Sequence, residues 1–340
     1  MGQDRTLARG ARAFGALLTA GLALVSLAWI IRDFTKAHEV VDVWWNWAGL
    51  PARAEDGVWV TSFLEPTLLL LYSVAAVTAY RSSSAAAILT CTGLLTVAVR
   101  TPGLWNLNAD WMQGVQDGLL SKVLFSTIAA VVIGVVLIIT AVAGRRPQLP
   151  TGYGSGSGGS GLAAGSDPAD GPPAGPTRSG AVVAFLVLGA CGVVLAAWEI
   201  RSWQQYGWDR YQRILTGEGT IVRLLDAPSG WVPWTVALLS LAAAVAALAG
   251  APFSRPLGLI VAGPLLGVGL FAVAYSVKTE LLEHFGDLGI EGQLHVLTSL
   301  FEVASGCAVL LALARGEQRD SSILAQYRGG TPAYGRSPQL

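Results

Sequence analysis

Ala28-Trp29-Ile30-Ile31-Arg32-Asp33-Phe34 returns later in the chain as Ala197-Trp198-Glu199-Ile200-Arg201-Ser202-Trp203. Ala, Trp, Ile and Arg recur at the same spacing, and an aromatic residue closes both copies. Each copy sits at the end of a long apolar run, and three further apolar runs follow it. The runs cover about 12–31, 60–80, 83–99 and 119–143 in the first half, and about 181–200, 231–249, 256–276 and 293–314 in the second. A helix rising 1.5 Å per residue crosses a hydrocarbon core of about 30 Å with about 20 residues, so each run is of spanning length. The reading is an all-α, polytopic membrane protein of eight transmembrane helices, built as two four-helix repeats. An even number of spans per unit returns the chain to the starting side. The second unit therefore enters in the same orientation as the first, and the repeats are parallel.

Composition agrees. Of 340 residues, 53% are hydrophobic and 13% charged, too apolar for a water-soluble fold of this size. The spacing of the runs repeats as well. Long connections separate the first and second runs of each half, and short ones separate the second and third. Val131-Val132-Ile133-Gly134 in the fourth run matches Val303-Ala304-Ser305-Gly306 in the eighth. Arg5, Arg9 and Arg12 precede the first run in the manner of a signal peptide, but the run is long for one and no small-x-small site follows. It is read as a retained helix.

The expected organisation is a first repeat over 12–143, a linker over 145–180, a second repeat over 181–314 and a polar tail over 315–340. In the linker, 21 of 36 residues are Gly, Pro or Ser, which cannot bury enough apolar surface to offset the entropy of ordering. Arg81 and Arg255 lie in the short loops. With the positive-inside rule they place both termini in the cytoplasm of a cell with this protein in its plasma membrane. Abundant Arg, Ala and Gly suit a GC-rich bacterial coding sequence, an association rather than a physical argument.

Beyond the first span of each half, residues at three-to-four spacing predict that the helix either continues outward or bends into an amphipathic helix at the membrane surface. The first ends near Gly49 and the second near Gly217. All 12 tryptophans fall on the outer side by this topology. An aromatic belt usually decorates both faces of a membrane. Trp44, Trp45, Trp47, Trp203 and Trp208 are therefore candidates for an outer aromatic surface that meets a headgroup, a glycan or a partner.

Ionisable residues inside lipid are the second candidate group. Glu65 opens the second span, Lys122 lies near the outer end of the fourth, and His295, Ser299, Glu302 and Ser305 form one polar stripe on the eighth. Lys122 is the expected partner of Glu65 or Glu302. Neither acid has an acidic counterpart in the other repeat: Val232 and Ala130 stand opposite them. Gly263-Pro264-Leu265-Leu266-Gly267 is a small-xxx-small pattern that permits close helix approach.

Several classes fail on inventory. Three cysteines within spans make no disulfide framework, a single in-span histidine cannot ligate a haem in pairs, and no phosphate loop or dinucleotide fingerprint occurs. No catalytic residue, metal site or cofactor is expected, and no nucleic acid. An enzyme using the outer-loop acids Asp209, Glu280 or Glu283 is the weakest reading. The expected function is a non-catalytic binding or assembly protein with membrane lipid and a membrane or envelope protein as partners. The alternative is a small proton- or solute-coupled transporter with its site between the repeats.

Overall fold

The computed structural model describes residues 5–110, 115, 117–147, 175–219, 223–314 and 316–317. Trp111, most of the 145–180 linker and nearly all of the 315–340 tail lie outside the described residues. The protein is all-α. The first half holds α1 (Arg9–Thr35), α2 (Val40–Trp47), α3 (Leu64–Arg81), α4 (Ala85–Asn106) and α5 (Asp117–Ala143). The second holds α6 (Arg178–Tyr206), α7 (Trp208–Thr216), α8 (Trp231–Leu248), α9 (Ser254–Lys278) and α10 (Ile290–Ala314). Seven helices among the described residues are long and apolar enough to cross a membrane: α1, α4, α5, α6, α8, α9 and α10. Helix α3 is 18 residues long and carries Glu65 and Arg81 in its first and last turns, and it is not one of the seven.

The outward faces show why these helices suit lipid. Phe125 on α5 and Leu311 on α10 are about three-quarters exposed, and Leu24, Leu70 and Leu238 also point outward. In water such side chains would drive association, whereas in lipid they need no cover. The inward faces carry small and hydroxyl side chains at helical spacing, for example Gly15, Thr19 and Ser26 on α1, with Leu22 between them.

Helix α1 packs along α3, α4 along α5, α6 along α8, and α9 along α10. Contacts of α1 with α5 and of α3 with α4 close the first group of four, and those of α6 with α10 and α8 with α9 close the second. The groups meet where α9 lies against α3 and α4, and where α8 touches α4. At one end, short antiparallel ties hold each group together. Arg5–Leu7 (β1) pairs with Arg145–Pro147 (β2), and Gly175–Pro176 (β3) with Gly316–Glu317 (β4).

The short helices stop where expected. Gly49 has φ +89°, and Gly217, which caps α7, has φ +88°; such left-handed conformations favour glycine. The first and second helices of each pair bend apart rather than continue. Glu39 and Asp42 form a capping box that starts α2 afresh, and Gly207 at φ +73° separates α6 from α7.

One boundary departs from the sequence reading. The third apolar run ends at residue 99 because Arg100 interrupts it, yet α4 continues to Asn106. Arg100 is inside the helix bundle, and its charge is met there.

Candidate functional site

Two unlike centres stand out among the buried polar residues. In the first, the Asp33 carboxylate at the end of α1 is fully buried. It accepts hydrogen bonds from the Val60 and Thr61 backbone N–H groups and from the Thr61 hydroxyl, the last two at 2.7 and 2.6 Å. This pins the extended segment before α3. Ser62 follows, and its N–H donates to Glu65 Oε2 at 2.6 Å. Glu65 Oε1 accepts from Arg100 Nη1 at 2.7 Å, with both side chains buried.

Arg100 also reaches the Leu225 carbonyl in the α7–α8 loop of the second half, at 3.4 Å. That loop lies across the first half. Leu224 and Leu225 N–H groups donate to the Trp59 and Val60 carbonyls, and Arg223 donates to the side chain and carbonyl of Asn46. Asp226 pairs with Arg223 at 3.3 Å; burial raises its carboxyl above the ordinary range while Arg223 opposes the rise.

The expected partner Lys122 does not take this role. It is exposed on α5, and Arg100 pairs with Glu65 instead. The reason is geometric: α3 and α4 are packed neighbours, so Arg100 reaches Glu65 with both groups out of water. Arg100 borders a small cavity lined from α1, α3, α4, α5 and Leu225, with room for about one water-sized sphere.

The second centre is on α10. Ser299, Glu302 and Ser305 are buried, while His295 is exposed and stacks on the Trp198 ring at 3.9 Å. Glu302 is 4% exposed and has no hydrogen-bond or ion-pair partner among the described residues. Gly269 on α9 lets the two helices close here, since a Cβ at that position would meet Glu302 Cβ at 2.8 Å.

The outer tryptophans divide into several roles. Trp47 is buried and donates to Thr61 Oγ1 at 2.9 Å. With Trp44 it packs on Phe271 of α9, the ring centres lying 6.0 and 4.8 Å away. Trp45 receives Lys278 over its ring at 5.2 Å. Trp203 and Trp208 form an exposed edge-to-face pair at 5.8 Å. Next to that pair, Tyr211 donates to Glu199 Oε2 at 2.8 Å and accepts from Trp234; burial pushes its pKa up to about 12.

Trp44, Trp47 and Phe271 form one end of a groove of about 760 Å³ between α3 and α9. Its walls are overwhelmingly apolar. Leu70, Val74 and Val77 on its wall are exposed, so it opens sideways. Arg81, Ser82, Ser84 and Arg255 surround the other end. Thr67 and Gly267 set its floor: a Cβ at position 267 would lie 2.4 Å from Thr67 Oγ1, which is the close approach expected of the small-xxx-small pattern. The seam between α4 and α8 is filled by Trp231, which donates to the Ala98 carbonyl at 2.8 Å and packs edge-to-face on Trp105.

Compared with models of known protein families, with curated proteins and with solved structures, the chain matches none.

Proposed function

We propose that this chain is a multi-pass plasma-membrane protein of eight crossing helices, α3 included, arranged as two parallel four-helix repeats with both termini cytoplasmic. Matched details in the two halves support the duplication. Trp29 Nε1 donates to Ser126 on α5, and Trp198 Nε1, its partner in the repeated motif, donates to Thr298 on α10. Gly134 meets Val97 where Gly306 meets Leu266. The ties β1–β2 and β3–β4 join corresponding ends. Inclusion of α3 as a span follows from its packing along α1 and from Glu65 being neutralised within the bundle.

Its function on this reading is non-catalytic binding in the membrane, with lipid or a membrane or envelope protein as partner. The observation that carries it is the groove between α3 and α9. Its volume falls in the range of about 300–1,000 Å³ typical of small-molecule sites, and its walls are as apolar as those sites require. Duplication offers two such seams. Trp231 closes one and the other remains open, which is how a symmetric scaffold acquires a single site. The test is chemical. Protein purified in mild detergent should carry a hydrophobic molecule at fixed stoichiometry, and Val74→Trp on the groove wall should release it without loss of fold. A ligand-free wild type, or a ligand indifferent to the substitution, defeats the proposal.

A second reading, proton- or solute-coupled transport, is favoured by Glu302 alone, a buried carboxyl with no ion-pair partner among the described residues. In proteoliposomes it predicts a proton flux that Glu302→Gln abolishes while thermal stability is kept. A flux unchanged by the substitution, or no flux from the wild type, removes this reading.

A further inference from the structure

We infer that the groove between α3 and α9 holds an anionic glycerophospholipid, its acidic headgroup at Arg81 and Arg255 and its acyl chains along the apolar walls. This rests on the binding role proposed above and specifies the ligand. Three observations converge on it.

The first is length. On α9 the lining runs from Pro256 to Phe271, about 22 Å at 1.5 Å per residue. That exceeds one leaflet's share of a hydrocarbon core about 30 Å thick, so a full acyl chain fits end to end. The second is charge. No Asp or Glu is among the lining residues, and neither arginine has a carboxylate partner among the described residues. Two uncompensated guanidinium groups at one end of an apolar channel match a phosphate with two tails, and the hydroxyls of Ser82 and Ser84 add neutral donors.

The third is preorganisation. Arg255 Nε and Nη2 donate to the Leu313 and Ala314 carbonyls, each at 2.8 Å. These bonds fix the guanidinium plane at the end of α10 and leave Nη1 without a partner among the described residues. Arg81 is the last residue of α3, exposed, and free to close over a headgroup. No cation is among the residues lining the opposite end: there the groove is closed by Trp44, Trp47 and Phe271. The two ends thus prescribe the orientation, with the headgroup on the side of the short loops and the chain ends beneath the aromatic cluster.

The experiment uses the full chain in non-ionic detergent. Dioleoyl phosphatidylglycerol and dioleoyl phosphatidylcholine are added in equal amounts, and bound lipid is counted by native mass spectrometry. The expected result is preferential retention of phosphatidylglycerol. Arg81→Gln should lower the preference about fivefold, the effect of one basic residue near a lipid phosphate. Arg81→Lys should keep most of it, and Val74→Trp should reduce both lipids together. Arg255→Gln is expected to act likewise. Because it also uncaps α10, the exposed Arg81 is the deciding position. Equal retention of both lipids, unaffected by Arg81→Gln but lowered by Val74→Trp, overturns the anionic assignment while the binding role survives. If Val74→Trp changes nothing, both fail. A polypeptide bound at one copy per chain, displaced by Val74→Trp, also overturns the lipid assignment.

Discussion

Arg100 shows how a single charge can be both the hardest residue to place and the most informative once placed. An isolated guanidinium in a bilayer is costly, which is why it marks the end of an apolar run. In the bundle it meets Glu65 at 2.7 Å and the Leu225 carbonyl at 3.4 Å. The pair was half legible: Glu65 stands out within its span, but its partner sits at a run boundary in another helix, and only packing of α3 on α4 brings them together. Asp33 was harder still. The matching position of the recurrent motif holds Ser202, so the motif gave no hint that Asp33 organises a buried loop. Breaking a buried pair by removing one partner costs about 3–5 kcal/mol, because the other charge remains uncompensated. Arg100→Met should therefore cause a large loss of thermal stability in detergent. Glu65→Leu combined with Arg100→Met should recover most of it, falling short by about 1 kcal/mol for the lost bond to Leu225. If the double variant is no more stable than the single one, the pair is not what Arg100 is for.

At the scale of helices, apolar runs were readable because a hydrocarbon core selects for length and apolarity: seven of the eight coincide with helices among the described residues that are long and apolar enough to cross a membrane, and the remaining one is the 18-residue α3. Helix ends were readable where glycine terminates a short helix, as at Gly217. Which helices touch was not, since apolar all-round helices carry little facial asymmetry. Contact is decided by small residues whose pairing the sequence leaves open. Gly134 and Gly306 are the clearest case. A Cβ on Gly306 would meet the Leu266 backbone at 3.1–3.2 Å, and one on Gly134 would come within 3.1 Å of the Gly93 carbonyl oxygen. Backbone cannot swing aside as a side chain can, so α9–α10 and α4–α5 must each separate to admit a methyl group. Gly134→Ala and Gly306→Ala should each destabilise by about 1–3 kcal/mol, the usual cost of overpacking. Gly118→Ala and Gly189→Ala are controls, the first with nothing near its Cβ and the second with ordinary contact at 3.8 Å. Unfolding midpoints of the four variants check this. Equal effects at tight and open sites would mean that helix spacing is not set at these glycines.

For the molecule as a whole, the α7–α8 loop constrains topology independently of any charge rule. Leu224 and Leu225 hydrogen-bond to Trp59 and Val60, and Arg223 donates to Asn46. The loops that follow the first helix of each half must therefore occupy the same side of any membrane the protein spans. Trp44 and Trp208 sit in those two regions, and both are exposed. Ser83 and Phe253 lie at the opposite helix ends, in the short α3–α4 and α8–α9 connections. The prediction uses a variant in which Cys91, Cys191 and Cys307 are replaced by Ala, with one new cysteine introduced at a time. Cysteines in place of Trp44 and Trp208 should react with a membrane-impermeant maleimide added to intact cells, at comparable rates. Cysteines in place of Ser83 and Phe253 should react only after the cells are opened. Removal of Trp44 thins the wall against Phe271, so Val41→Cys, exposed on the same short helix, serves as a second reporter. Labelling of the α2 and α7 positions from opposite sides would be incompatible with the hydrogen bonds that join the halves, and with a parallel duplication. Labelling of all four positions from outside would leave the halves joined but remove the membrane from between their ends.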